Sequence, residues 1–198
     1  MSDEPIEVHE DEEAAPALDP EVRARRDRAL RFVRKYGDPV LRTRALAVDR
    51  FDERLGEEVR RMGQLMDDSL GIGLAATQVG VPNRVLVYRV EHDGRIAALV
   101  NPEIEWAGGE TEVMEEGCLS LPGVLVEVER PIHVRVRARD ERGDGLLVEA
   151  SGLEARVIQH EIDHLDGVLI LDRTPREQRK QAMRTLRERL AGEESAAA

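Results

Sequence analysis

Hydrophobic and polar positions divide the chain into helical and extended stretches. From Asp52 to about Leu70, the residues Leu55, Val59, Met62, Met66 and Leu70 recur every three or four positions with charges between them. That spacing predicts an amphipathic packing helix. A second helical pattern runs through Leu153, Val157, Ile158, Ile162 and Leu165. It opens at Ser151-Gly152-Leu153-Glu154, a capping-box spacing, and Gly167 would end it. A third starts at Thr174-Pro175-Arg176-Glu177, read as N-cap, proline at N1 and Glu at N3, and runs to about Leu190. Residues 22–36 carry a weak apolar stripe (Val22, Leu30, Val33) among many arginines, which reads as a short helix with a solvated basic face.

Extended patterns fill much of the remainder. Arg84 to Val90 and Ile96 to Ile104 flank a hairpin turn at His92-Asp93-Gly94. Val124 to Val128, Ile132 to Val136 and Leu146 to Glu149 follow, the last after a turn between Asp140 and Gly145. Short strands joined by turns imply antiparallel sheets. Glu115 to Gly123, with Gly117 and Pro122-Gly123, reads as a tight loop, and Gly37-Asp38-Pro39 as a turn.

Composition adds limits. The 198 residues suit one domain over 22–190, between an acidic disordered tail (1–21) and a frayed C-terminus (191–198). Residues 1–21 hold nine acids and no Lys or Arg, most of the net charge of -12. That balance argues against non-specific nucleic-acid binding. No apolar run of about 18 residues exists, so no membrane span is expected. The acidic start reads as neither signal peptide nor presequence. One cysteine excludes an intrachain disulfide and suggests a reducing compartment.

The chemistry concentrates in Gln159-His160-Glu161-Ile162-Asp163-His164-Leu165. This is H-E-x-x-H on a predicted helix. Residues four apart share a face, so His160 and His164 can hold one metal ion, with Glu161 beside its open side as a base. Cys118 could supply a third ligand and leave a fourth position for water, as catalytic sites require. A lone cysteine is more often a buried small hydrophobe, but its glycine and proline flanks suit a loop. Gly71-Ile72-Gly73-Leu74-Ala75-Ala76-Thr77-Gln78 is a backbone that something approaches closely. It lacks the Gly-Lys-Ser/Thr of a phosphate loop. Gln78 reads either as a surface amide or as a donor to a substrate oxygen.

Together, Gly71 through Gln78, Glu116-Gly117-Cys118-Leu119-Ser120 and Gln159 through Leu165 resemble the three signatures of the peptide deformylase family, in order. The likeness covers roughly residues 32–190. It implies an α+β fold, with antiparallel β-sheets packed around a central metal-binding helix and a C-terminal helix. It implies a bacterial, cytoplasmic enzyme that removes the formyl group from formylmethionine on nascent proteins. On this resemblance Cys118, His160 and His164 bind one divalent metal ion. Fe(II) is expected, with zinc, nickel or cobalt able to replace it; the donor set alone suits zinc and ferrous iron equally. Water on that ion attacks the formyl carbon with Glu161 as general base, then acid. Gln78 and the Leu119 backbone N–H hold the oxyanion. Gly73 and Gly117 let an extended peptide approach as an added strand. Ile72, Met114, Leu153 and Val157 line the methionine pocket, and Glu116, Asp163 and Arg130 orient the ligands. Arg156, beside the pocket, departs from the pattern.

Rival readings are a zinc peptidase, which would want a third His or Glu ligand downstream, and a hydrolase with Cys118 as nucleophile, which leaves the His pair unexplained. The basic C-terminal helix fits docking near ribosomal RNA, and fits a solvated amphipathic helix equally well. A ribosome-associated binding module is the non-enzymatic alternative. No specific nucleic-acid site and no membrane partner are expected; the expected partners are formylated nascent peptides.

Overall fold

The computed structural model describes residues 18–91 and 94–196. The expected acidic tail therefore lies mostly outside the described residues, as does part of the 92–94 turn. Asp19, counted with that tail, caps the first helix, α1 (Pro20–Leu30). Its carboxylate accepts from the Glu21 and Val22 N–H groups, and Pro20 sits at the first helical position.

Helix α2 (Glu53–Asp68) is capped by Asp52 and buries Leu55, Met62 and Met66, the face the periodicity marks. Five antiparallel strands form the main sheet in the order β1-β2-β3-β6-β7. They are β1 (Gly73–Ala75), β2 (Val85–Tyr88), β3 (Ala97–Ala107), β6 (His133–Arg139) and β7 (Gly145–Ser151). A separate hairpin pairs β4 (Thr111–Cys118) with β5 (Leu121–Pro131). Helices α3 (Gly152–Leu165), α4 (Ile170–Arg173) and α5 (Arg176–Ala196) complete the chain. The fold is α+β, with antiparallel sheets and a C-terminal helix.

Helix α3 lies between the two sheets. Its apolar side chains, Ala155, Val157, Ile158, Ile162 and Leu165, join Leu86, Leu99, Val134 and Val136 of the main sheet in one core. Its polar side chains are buried too: Arg156, Gln159, Glu161, Asp163 and His164. A helix buried on its polar face needs partners for every charge. The β4–β5 hairpin supplies partners for Arg156, Gln159, His160 and Asp163, and these bonds hold the hairpin over α3. A second core joins Leu121, Val124, Val126 and Val128 of β5 to Leu169, Ile170 and Leu171, and to Ala182 and Leu186 of α5.

Several expectations are corrected. Ser151 is the N-cap of α3, but its hydroxyl makes no cap bond. Ser151 stays extended at the end of β7, and the chain turns at Gly152 (φ +56). Glu154 instead accepts from the Tyr88 hydroxyl at 2.9 Å. The C-terminus of α3 behaves as predicted. Gly167 (φ +73) donates to His164 O and Val168 to Asp163 O, a Schellman arrangement. The stretch 115–123 is a hairpin, not a loop: Cys118 ends β4, Leu119 and Ser120 make the turn, and Pro122-Gly123 lies within β5. At the start of α5 the Thr174 hydroxyl reaches Gln178 Oε1 at 3.2 Å rather than a backbone N–H. Helix α5 continues past Leu190 to Ala196, with no proline there to stop it.

Candidate active site

Three ligand-type atoms converge where α3 meets the β4–β5 turn. One atom each from Cys118, His160 and His164 lies within 4.8 Å of the others. The thiol Sγ is 3.2 Å from His164 Nε2. His160 bonds Glu116 Oε2 through Nδ1 at 2.9 Å, which leaves its Nε2 for a metal ion. Two donors face the sulfur, Gln78 Nε2 at 3.7 Å and Ser120 N–H at 3.4 Å. Burial opposes ionisation of Cys118, but the imidazoles of His164 and His160 outweigh it and hold the thiol well below its usual value. A thiolate is the form a metal ion binds. One sulfur and two imidazole nitrogens fit a single divalent ion.

Glu116 fixes the His160 imidazole and is itself held by charged groups, whereas His164 Nδ1 has no partner among the described residues. Arg130 bridges Glu116 (Nε to Oε1, 2.6 Å) and Asp163 (2.9 Å), with all three side chains buried. Arg156 donates to Glu116 Oε1 at 2.8 Å and to the carbonyls of Val128 and Glu112. Arg156, which lines the cleft over this site, therefore spends its guanidinium on this network. Burial would raise the Glu116 carboxyl, but His160 and Arg130 bring it down to about 2. Arg173, from the short helix α4, closes on Asp163 at 2.5 Å and 3.1 Å. Sequence reasoning did not single Arg173 out, because only the fold sets it against α3.

Glu161 stands on the open side of the cluster. It is buried, its Oε2 has no partner among the described residues, and burial pushes its carboxyl up despite His160 and His164. Gln78 is also buried. Its Oε1 accepts from Ala75 N–H at 2.8 Å, so its amide nitrogen points toward Cys118 and Ser120. The surface-amide alternative for Gln78 is thereby overturned.

A cleft of about 670 Å³ opens over these groups. It is lined by Gly73, Gln78, Gly117, Cys118, Leu119, His160 and Glu161, and by Ile72, Met114, Leu153 and Val157. Every residue singled out for substrate thus faces one cleft. His164 lies behind it, buried. A Cβ on Gly73 would meet the Glu161 side chain, so this glycine makes room for the carboxylate. At Gly117 the same space is taken by Leu125 Cδ2, 3.1 Å away.

A thiolate and two imidazoles beside an unpaired carboxylate, set in a cleft, define a metallohydrolase-type site in an α+β fold. A family model for polypeptide deformylase matches residues 30–180. The peptide deformylase of Thermotoga neapolitana is 50% identical over 141 residues, covering 71% of this chain and 85% of that protein. That of Acidothermus cellulolyticus is 46% identical over 160 residues, covering 81% and 87%. Among solved structures, a Synechococcus elongatus peptide deformylase in complex with actinonin is 43% identical with a TM-score of 0.75, covering 77% of this chain and 85% of that one. The Thermotoga maritima structure is 48% identical with a TM-score of 0.70, covering 72% and 96%. The chain belongs to the polypeptide deformylase family, and it is a hydrolase that deformylates peptides.

Proposed function

We propose that the cleft removes the N-formyl group from formylmethionine at the start of nascent bacterial proteins, in the cytoplasm, with residues 22–190 as the catalytic domain. The observation that carries the mechanism is Glu161 Oε2, buried without a partner among the described residues beside Cys118, His160 and His164. A divalent ion held by those three residues supplies Lewis acidity toward water and toward a carbonyl oxygen. Fe(II) is the proposed resident, and zinc, nickel or cobalt also suit the donors.

The protein's own groups do the remainder. Glu161 takes a proton from the attacking water and returns it to the leaving amine; its raised carboxyl suits both halves of that task. Gln78 Nε2 and the Leu119 N–H donate to the oxyanion that forms at the formyl carbon. Gln78 can do so because Ala75 holds the other end of its amide. Ile72, Met114, Leu153 and Val157 receive the methionine side chain. Three of these four are exposed in the absence of peptide, the surface a bound side chain would cover.

The basic face of α5 (Arg176, Arg179, Lys180, Arg184, Arg187) points to solvent while Ala182 and Leu186 pack on β5. This supports docking beside ribosomal RNA. Deleting the helix would strip the core, so the test is Arg184→Glu with Arg187→Glu and ribosome co-sedimentation. Unchanged co-sedimentation would rule docking out.

The test of the reaction is anaerobic purification, metal analysis and formate release from formyl-Met-Ala-Ser. We expect one metal ion per chain and formate release. Glu161→Gln should keep the metal and lose about 10²–10⁴-fold in rate. Bound metal without formate release in the unmodified protein would overturn the reading.

A further inference from the structure

Three successive residues after α1 tie together the two segments that bear Gln78 and Cys118. Arg34 N–H donates to Gln78 O at 2.7 Å, and Tyr36 N–H donates to Ser120 O at 2.9 Å. Between them the Lys35 ammonium donates to Leu119 O at 2.9 Å. The backbone on either side of Lys35 is therefore anchored, and its half-buried side chain reaches the Leu119 carbonyl.

That carbonyl belongs to the peptide group joining Leu119 to Ser120. The other end of the same peptide, Ser120 N–H, donates to Cys118 Sγ at 3.4 Å. A peptide group is a conjugated plane, so a cation at its oxygen draws electron density from its nitrogen. The N–H becomes a stronger donor, as linked hydrogen bonds polarise one another. The relay runs from the Lys35 ammonium through the Leu119 carbonyl and the Ser120 N–H to the Cys118 sulfur.

We infer that Lys35 is a positioning residue for the metal thiolate, fixing the Leu119–Ser120 peptide and strengthening its hydrogen bond to Cys118. This rests on the metal-site reading above. Hydrogen bonds to a ligating sulfur stabilise its lone pairs and reduce what it gives to the metal. The same contact anchors the Leu119 carbonyl, one peptide plane on from the Leu119 N–H proposed for the oxyanion. Lys35 lies outside the three motifs, and nothing in its local sequence marks it.

The test uses the full chain loaded with Co(II), whose sulfur-to-metal absorption band in the near ultraviolet reports the donor strength of the thiolate. Lys35→Met removes the cation and leaves the stem. The band should move to lower energy, kcat for formyl-Met-Ala-Ser should fall about tenfold, and KM should stay within about twofold. Lys35→Arg restores a cationic donor and should return the band to its original position. Should Lys35→Met fail to fold, Lys35→Gln, with a neutral donor, should show the same shift in smaller measure. A band at the unmodified position in the folded Met or Gln variant overturns the inference, whatever happens to the rate. A different failure is distinguishable: if the unmodified Co(II) protein shows no sulfur band, the ligand reading of Cys118 falls instead.

Discussion

Gly73 and Glu161 occupy one shared space. A Cβ built on Gly73 would lie 2.9 Å from Glu161 Cγ and overlap Oε1. Strand β1 is extended there, so alanine suits the backbone and the conflict is steric alone. Gly73→Ala should push the carboxylate off its line and cost about 10²-fold in formate release, the scale of a lost general base. Overpacking should cost about 1–3 kcal/mol of stability, with the metal retained. Kinetics beside metal analysis measures this, and full activity would mean that Gly73 does not set the Glu161 position.

Arg130 carries two buried carboxylates at once, Glu116 and Asp163. Arg130→Met strips a partner from each, although Arg156 still reaches Glu116 and Arg173 still reaches Asp163. Leaving buried charge less than fully paired should cost about 3–5 kcal/mol in urea unfolding. Because Glu116 orients His160, metal affinity should fall about 10–100-fold as well. A stability loss under about 0.5 kcal/mol would show that the remaining arginines suffice.

Gly167 ends the metal helix with φ +73, and a Cβ there would sit 2.7 Å from the Arg42 carbonyl oxygen. Gly167→Ala meets both obstacles, the left-handed backbone and fixed main-chain atoms that cannot swing aside. The expected cost is about 1–3 kcal/mol. It should appear as a lowered Tm with the chemistry intact, since Gly167 touches no reacting group.

What the sequence made legible follows from what it had to bury. Leu55, Met62 and Met66 announce α2 because that helix hides one face. His160 and His164 announce themselves by spacing alone. Strand β4 was missed because Thr111 through Glu115 are all exposed, so no alternation of apolar residues marks it. The capping box at Ser151 failed because a positive-φ glycine, not the serine hydroxyl, makes the turn into α3. Lys35 was invisible for another reason: it donates to a main-chain carbonyl 84 positions away, which no side-chain pattern encodes. Arg156 lies at the cleft as expected, but its sequence position does not say that the guanidinium turns to Glu116.

Asp172 gives the fold a pH dependence in acid. Burial would raise its carboxyl, but hydrogen bonds from Arg42 and from the Leu169 N–H outweigh burial and bring it below its ordinary value. A carboxyl depressed on folding adds stability that is complete above the unfolded value. That stability is lost as pH falls through the folded value, because the unfolded chain then binds more protons. Asp172→Asn removes this term. Its urea midpoint should lie below the unmodified protein at neutral pH, and the two should approach each other as pH falls from about 5 to about 2. Arg42 is partly exposed, so added salt should narrow the neutral-pH difference. Midpoints that stay parallel across that range would mean that Asp172 stabilises α4 through its Leu169 bond irrespective of charge, with no proton linkage.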